Sequence, residues 1–246
     1  MPPPDPARAL RILHLDADLL VVDKPPRVLS VPGRGEHVSA PDLLRARPEL
    51  RDNAALRVVH RLDRDASGVQ VYARTLAAQQ RLVRQFAARC VEKVYYALVS
   101  GYVMGDGEVD LPLTFDSRHN RVCVVRGRGK PSLTRYRVLQ RVAGHTLLEC
   151  RPVTGRMHQL RAHLAAIGHP LAVDPDYGGG ASVLLSRYKP GYRASSRRPE
   201  RPLIDRLTLH ALRITFEHPA TGATVTFEAP LPKDFRATLT QLARLV

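Results

Sequence analysis

Two stretches limit what this chain can fold into more than any others: "SLTRYRVLQRVAGHTLLECRPV", residues 132–153, and "LHALRITFEHPATGATVTFEAP", residues 209–230. In each, runs rich in β-branched and aromatic residues flank a turn dipeptide, Ala143-Gly144 in one and Thr221-Gly222 in the other. That is the mark of a β-hairpin, and a hairpin commits its strands to antiparallel pairing. "ALRILHLDADLLVVDKPP" reads as two more strands turning at Asp16 to Asp18, the second stopped by "KPP". "LRVVHRL", "GVQVYA" and "VYYALVSG" read as strands, and "LSVPGRGEHVSAPD" as an extended loop. Helices are fewer. "DLLRARPEL" is short. Residues 76–90 follow Thr75 as N-cap, with Leu76, Val83, Phe86 and Cys90 as the apolar stripe. Residues 155–167 follow Thr154 and end at Gly168, and "DFRATLTQLARL" closes the chain. Strands joined by hairpins, with fewer helices, predict an α+β fold on a mostly antiparallel sheet.

Charge narrows the partner. Lys+Arg number 38 and Asp+Glu 23, a net charge of +15 over 246 residues, which suits an anionic partner. Only five of those cations are lysine. Heavy arginine use can reflect base composition, but that bias does not create the excess. No apolar run approaches the ~20 residues of a membrane span, and "MPPPDPARAL" lacks a signal core. Nucleic acid is therefore favoured over lipid. Cys90, Cys123 and Cys150 are odd in number and far apart, so a reducing cytoplasm is expected and no disulfide framework. Residues 178–202 carry six Arg or Lys and one Glu, interleaved with Tyr188 and Tyr192. They read either as a solvated loop or as an RNA-touching loop that orders on binding.

The chemistry-bearing stretch is "VVHRLDRDASGVQV", which sets Asp63 and Asp65 among His60, Arg61 and Arg64. A salt-bridged surface loop is one reading; a catalytic carboxylate facing an anionic substrate is the other. A second stretch, "TGRMHQLRAHLAAIGHP", puts Met157, Leu160, Leu164 and Ile167 on one helical stripe, with Arg161 roughly 40° beyond its edge. Such a guanidinium either snorkels to water or pairs with a carboxylate that helical geometry cannot name. His158 and His163 do not share a helix face, so no metal site is expected there. There is no G-x-G-x-x-G and no P-loop, so no cofactor is expected. His210 reads as a satisfied core or hairpin histidine.

"HRLDRDASG" resembles the His-Arg-Leu-Asp-x-x-Thr-Ser-Gly signature of RluA-type RNA pseudouridine synthases. "ILHLDADLLVVDKPP", "EKVYYALVSG", "VTGRMHQLRAHLAAIGHPLAVDPDYG" and "LTLHALRITFEHPATG" resemble further blocks of that family, in its order, over roughly residues 10–230. The resemblance implies the pseudouridine synthase fold: a mixed, mainly antiparallel bipartite sheet flanked by helices, with a central catalytic cleft. It implies a single catalytic domain over 10–246 after a tail of residues 1–9. With so short a tail, no separate N-terminal RNA-binding module is expected. Residue by residue, Asp63 falls on the catalytic aspartate and Arg161 on the arginine that salt-bridges it. Tyr95 falls on the tyrosine that packs on the base and is a candidate for removing its C5 proton. Arg61 falls on an arginine that accommodates the flipped nucleotide; Arg64, Lys93 and Arg156 complete the candidate RNA-binding set. Ala66 departs from the family's Thr and removes a hydroxyl from the loop, not the carboxylate.

The activity so implied is isomerisation of uridine in structured RNA without cofactor; transfer RNA is favoured over ribosomal RNA, and a monomer over an oligomer, whose state the sequence leaves open. Both mechanisms argued for the family, attack of the aspartate on C1′ and removal of the C2′ proton, require an ionised Asp63. Basic neighbours favour that form. Two other classes remain open: a non-catalytic RNA-binding protein or chaperone on the same fold, and a glycosidase or nucleosidase. The second needs another placed acid, and Asp65 is the sole candidate.

Overall fold

The structure, a computed structural model, describes residues 9–33, 38–50, 56–193 and 198–246. Nearly all of the expected N-terminal tail, and residues 194–197 of the basic excursion, lie outside the described residues. The chain is α+β and divides into two compact units, Met1–Val94 with His210–Pro230, and Tyr95–Leu209 with Leu231–Val246.

In the first unit, β1 (Arg11–Leu15) and β2 (Leu19–Lys24) form the expected hairpin. Its turn is set by Asp16, whose Oδ1 accepts from the backbone N–H groups of Asp18 and Leu19 at 2.8 and 2.7 Å. β4 (Ser67–Ala73) pairs antiparallel with β2 and with the two-residue β3 (Arg57–Val58). It pairs in parallel with β11 (Leu209–Glu217), which carries β12 (Thr224–Glu228) on its own hairpin. The order is β1-β2-β4-β11. Every residue of β2 and β4 is buried, as expected for strands covered on both faces. The parallel contact explains one glycine. Gly68 has φ 118°, and a Cβ there would lie 2.1 Å from the Ala211 carbonyl oxygen. Helix α1 (Ala40–Arg45), capped by Ser39, packs Ala40 and Leu44 with Leu20, Val22 and Tyr72.

Helix α2 (Leu76–Ala87) has Thr75 as its N-cap, as the sequence predicts, but not the predicted inward face. Leu76 and Val83 are 53% and 45% exposed, while Ala78 and Leu82 are buried. Ala78 and Leu82 are four residues apart and so share one helix face, which is the face that turns inward. Phe86 is half-buried, stacked on His60.

In the second unit, β5 (Glu92–Ser100), β6 (Gly107–Asp110), β9 (Leu133–Val142) and β10 (His145–Pro152) run in the order β5-β10-β9-β6, all antiparallel. Ala143-Gly144 makes the β9–β10 turn, with Gly144 at φ 69°. β7 (Leu113–Asp116) and β8 (Arg121–Val124) form a separate hairpin that the sequence pattern did not suggest. Helix α4 (Lys233–Ala243) lays Phe235, Leu239 and Leu242 on Leu98, Val142 and Leu147. Its first turn is fastened by a buried fork, Arg206 Nε and Nη2 donating to Asp234 at 2.6 and 2.8 Å. Helix α3 (Gln159–Ala166) occupies the other face, where His163 Nδ1 meets Thr134 Oγ1 at 3.0 Å.

The helix predicted over 155–167 is shorter because a side chain takes over its first turn. Gln159 Oε1 accepts from Thr154 Oγ1 at 2.7 Å and from the Arg156 N–H at 3.0 Å. Its Nε2 donates to the Leu133 carbonyl at 2.9 Å. Thr154 is thus tied to Gln159, not placed as N-cap; that position falls to His158, in the left-handed region at φ 51°. Met157 is exposed, off the predicted stripe. The excursion over 178–202 is pinned by the Val183–Ile204 bridge, and Tyr188 packs against the core and His145. That tyrosine anchors the excursion to its unit.

Gly68→Ala tests the parallel contact. The forced φ and the overlap with Ala211 should cost about 3 kcal/mol or more, read as a lower urea midpoint with an unchanged slope.

Candidate active site

The Asp63 loop is built from its anchors outward. Leu62 is buried, and its backbone exchanges two hydrogen bonds with Ser30 Oγ: the hydroxyl donates to the Leu62 carbonyl at 2.7 Å and accepts the Leu62 N–H at 2.8 Å. The next residues turn back, with the Ala66 N–H donating to the Asp63 carbonyl at 3.2 Å. Behind the turn lies Lys24, fully buried at the end of β2. Its Nζ donates to the carbonyls of Arg64 at 3.0 Å and Ala66 at 2.7 Å, and to those of Pro25 and Val28 at 3.0 and 2.8 Å. The backbone on either side of Asp63 is therefore fixed, while its side chain is half-exposed. Ala66 is 1% exposed, so the position that departs from the family signature packs inside. Ser67 Oγ meets His210 Nδ1 at 2.9 Å, and His210 Nε2 meets the Ala229 carbonyl at 3.0 Å, which satisfies that histidine.

His60 is structural. Its Nε2 accepts the Val71 N–H at 2.9 Å, which requires the neutral ring with its proton on Nδ1. Burial, with the positive charge of Lys93, pushes its pKa down to about 3. Burial likewise lowers the pKa of Lys93, a half-buried lysine. Arg61 and Arg64 are exposed; Arg64 pairs with Asp65 at 3.0 Å, so the second acid of the motif forms a surface ion pair. Asp63, Arg61, Arg64 and Lys93 thus belong to the first unit, and Tyr95, Arg156 and Arg161 to the second.

In the second unit Tyr95 is half-buried on β5, in register with Cys150. Arg156 is exposed. Arg161 is buried, which excludes the snorkelling outcome. Its Nε and Nη2 donate to the two oxygens of Asp174, both at 2.7 Å, and Nη2 also reaches Asp176 at 2.9 Å. Nη1 meets His158 Nε2 at 3.2 Å, and the guanidinium lies 4.7 Å from the Tyr177 ring centre. His158 Nδ1 meets the Tyr177 hydroxyl at 3.1 Å, so the left-handed turn before α3 presents an imidazole to this cluster. The β7–β8 hairpin joins it through the Val122 N–H, which donates to the Tyr177 hydroxyl at 3.1 Å. Among the described residues no cluster of His, Cys, Asp and Glu could hold a metal ion.

Sequence reasoning missed Lys24, Ser30, Asp174 and Tyr177. A lysine closing an otherwise apolar strand is a visible signal for the first. Asp174 is visible only as a carboxylate in the "DPDYGG" turn.

A family model described as RNA pseudouridylate synthase matches residues 18–166. A protein of Neisseria meningitidis serogroup B named ribosomal large subunit pseudouridine synthase D is 39% identical over 235 residues, 94% of this chain and 60% of that protein. One of the same name from Nitrosomonas europaea is 39% identical over 96% of this chain and 66% of its own length. The chain thus spans about 60% of the length of the Neisseria relative. Among solved structures, human RNA pseudouridylate synthase domain containing 4 superposes with a TM-score of 0.72 at 28% identity, covering 96% of this chain and 95% of that one. Human RNA pseudouridylate synthase domain containing 1 gives 0.72 at 29% identity, covering 94% and 86%.

Two measurements probe these clusters. Asp174→Ala would remove the buried carboxylate that accepts two hydrogen bonds from the Arg161 guanidinium. It should lower unfolding free energy by about 3 to 5 kcal/mol in a denaturant titration. His60 titrates below its unfolded value, so its contribution is complete above about pH 6.5 and is lost as pH falls toward the folded value. Stability should drop by about 1.4 kcal/mol per pH unit on this account. His60→Gln keeps an acceptor for Val71 but cannot protonate, so its stability between pH 7 and pH 5 should fall less steeply than wild type by that amount.

Proposed function

The chain belongs to the RNA pseudouridylate synthase family, and we propose that it isomerises uridine to pseudouridine in structured RNA with Asp63 as the catalytic group. The observation that carries this reading is the Asp63 loop. A half-exposed carboxylate stands on a turn whose backbone is held from behind by Lys24 and Ser30. A carboxylate that acts at one carbon of a bound nucleotide needs that fixed placement.

The reaction breaks the N1–C1′ bond, turns the freed base, forms C5–C1′ and moves the C5 proton off carbon. Nothing is oxidised, and no group leaves for another molecule, so no step calls for a redox cofactor. Asp63 serves as the nucleophile at C1′ or as the base at C2′. Tyr95 packs on the extruded base and stands as the candidate for the C5 proton. Arg161, aligned by Asp174 and His158, serves Asp63 electrostatically. Arg61, Arg64 and Arg156 contact the RNA backbone. Lys93, whose charge burial disfavours, lies close enough to His60 to lower its pKa and is the weakest of the proposed contacts.

Extruding a stacked uridine costs a few kcal/mol, which phosphate contacts offset. The sequence pointed to transfer RNA. The names of the relatives favour ribosomal RNA of the large subunit, and that is the substrate we propose. No helix among the described residues is long and apolar enough to cross a membrane. The cytoplasm, where unmodified transcripts are found, is the proposed location.

Tritium release from RNA labelled at uridine C5 tests the reading, with unmodified large-subunit ribosomal and transfer RNA transcripts in separate tubes. Release is expected from the ribosomal transcript. Asp63→Asn should abolish it while leaving RNA affinity within about tenfold, a difference of about 1.4 kcal/mol. Substantial release by Asp63→Asn would overturn the assignment. Tight binding without release by wild type would favour a non-catalytic RNA-binding protein.

A further inference from the structure

The second unit's sheet has two faces with different occupants. Tyr95, Cys150 and Tyr136 are in register across β5, β10 and β9, and Thr134, on the same face as Tyr136, meets α3. Tyr96, Glu149 and Arg137 are in register one step along and point the other way. On this second face α4 covers Leu98, Val142 and Leu147. Toward the other end the apolar residues give way to arginines.

There Arg135 stands directly opposite Arg151, and Arg137 directly opposite Glu149. The arginine side chains are 65%, 46% and 59% exposed for Arg135, Arg151 and Arg137, while Glu149 is 8% exposed beneath them. Glu149 accepts from Arg151 Nε at 3.0 Å and from Arg137 Nη2 at 3.4 Å. Arg135 reaches Glu108 on β6 at 3.5 Å. Arg135, Arg137, Glu149 and Arg151 line, with Tyr136, a concavity of about 210 Å³.

Like charges directly opposite on a sheet are destabilising. A structural salt-bridge ladder would alternate signs across each pair, whereas this one sets Arg135 against Arg151. One buried carboxylate orients two guanidiniums, and with Glu108 beside Arg135 three exposed arginines stand against two acids. Oriented guanidinium forks match the two free oxygens of a phosphodiester. Four of the five residues lining the hollow are charged, whereas protein interfaces are depleted of charge at their centres. We propose that this surface docks the phosphate backbone of the RNA, at nucleotides away from the target uridine, because it lies on the sheet face opposite Tyr95. The inference rests on the RNA-modifying reading above and adds to it where the RNA is gripped.

The test uses the full chain, an unmodified large-subunit ribosomal RNA transcript, and a trimmed transcript just long enough to keep the wild-type kcat. Wild type is measured first; if it neither binds nor turns over the long transcript, the RNA reading fails and this surface fails with it. The variant Arg135→Gln with Arg137→Gln should raise KM on the long transcript by about tenfold and leave kcat unchanged. The slope of log Kd against log salt should fall by about 2, close to one per lost phosphate contact. The trimmed transcript should show neither change. Wild-type KM and salt slope on the long transcript would overturn the proposal while leaving the enzyme assignment standing. A loss confined to kcat would also overturn it. Arg135→Glu, at the most exposed of the three, provides the same readout if the double variant melts early.

Discussion

A buried ammonium ringed by carbonyl oxygens is the contact on which the Asp63 loop depends. Lys24 has three N–H bonds and four carbonyl oxygens within 3.0 Å. Two of those oxygens belong to the chain just after β2, and two to the turn around Asp63. Burying a charged ammonium costs several kcal/mol; hydrogen bonds to a charged group contribute about 1.5 to 3 kcal/mol each, so a full set offsets the cost. The lysine also closes a strand in which all six residues are buried. The position of the loop is thereby tied to a fully buried strand of the first unit. No β-ladder holds the turn itself, so it would otherwise be free to fray.

The second unit solves a related problem with different chemistry. Arg161 is a planar fork, and its orientation follows from Asp174, which accepts from Nε and Nη2 together. Asp174 is fixed in turn by a tight loop. A Cβ on Gly179 would lie 2.1 Å from the Leu171 carbonyl oxygen, so only glycine lets this loop close on itself. His158 in its left-handed conformation adds a second orienting contact. Groups held this way have lost their freedom before any ligand arrives, which lowers the cost of ordering them during binding.

How much of this could be read in advance follows from how local each cause is. Both hairpin turns and the Thr75 cap were legible, because the residues that make them are adjacent in sequence. The inward face of α2 was not. Periodicity gives a stripe, but which stripe turns inward is decided by the strands the helix packs on, not by the helix's own residues. Lys24 reaches carbonyls 40 and 42 residues away, and the partner of Gly68 is on β11, so neither role has a local signal. The shortened α3 depended on Gln159 bonding to residues of β9, again a distant cause. Helical spacing did place Arg161 near the buried side, but it could not supply Asp174. The motif singled out Asp63; the contacts that hold its loop were not visible in it.

Charge shows what such a site must still achieve. Among the described residues the buried charged side chains are Asp23, Glu149 and Asp174 against Lys24, Arg161 and Arg206, and these sum to zero. The net charge of +15 therefore resides outside the buried interior. At physiological salt such charge acts over about 8 Å and attracts any phosphate chain alike. Phosphate contacts position a nucleic acid; they do not read it. Discrimination among uridines, on the proposed reading, has to arise where a base is unstacked and held. The cost of extrusion differs between a paired and a loosely stacked uridine, and a fixed carboxylate accepts only one sugar geometry. On that reading the work is divided: the basic exterior would supply affinity, and the fixed Asp63 loop would supply selection.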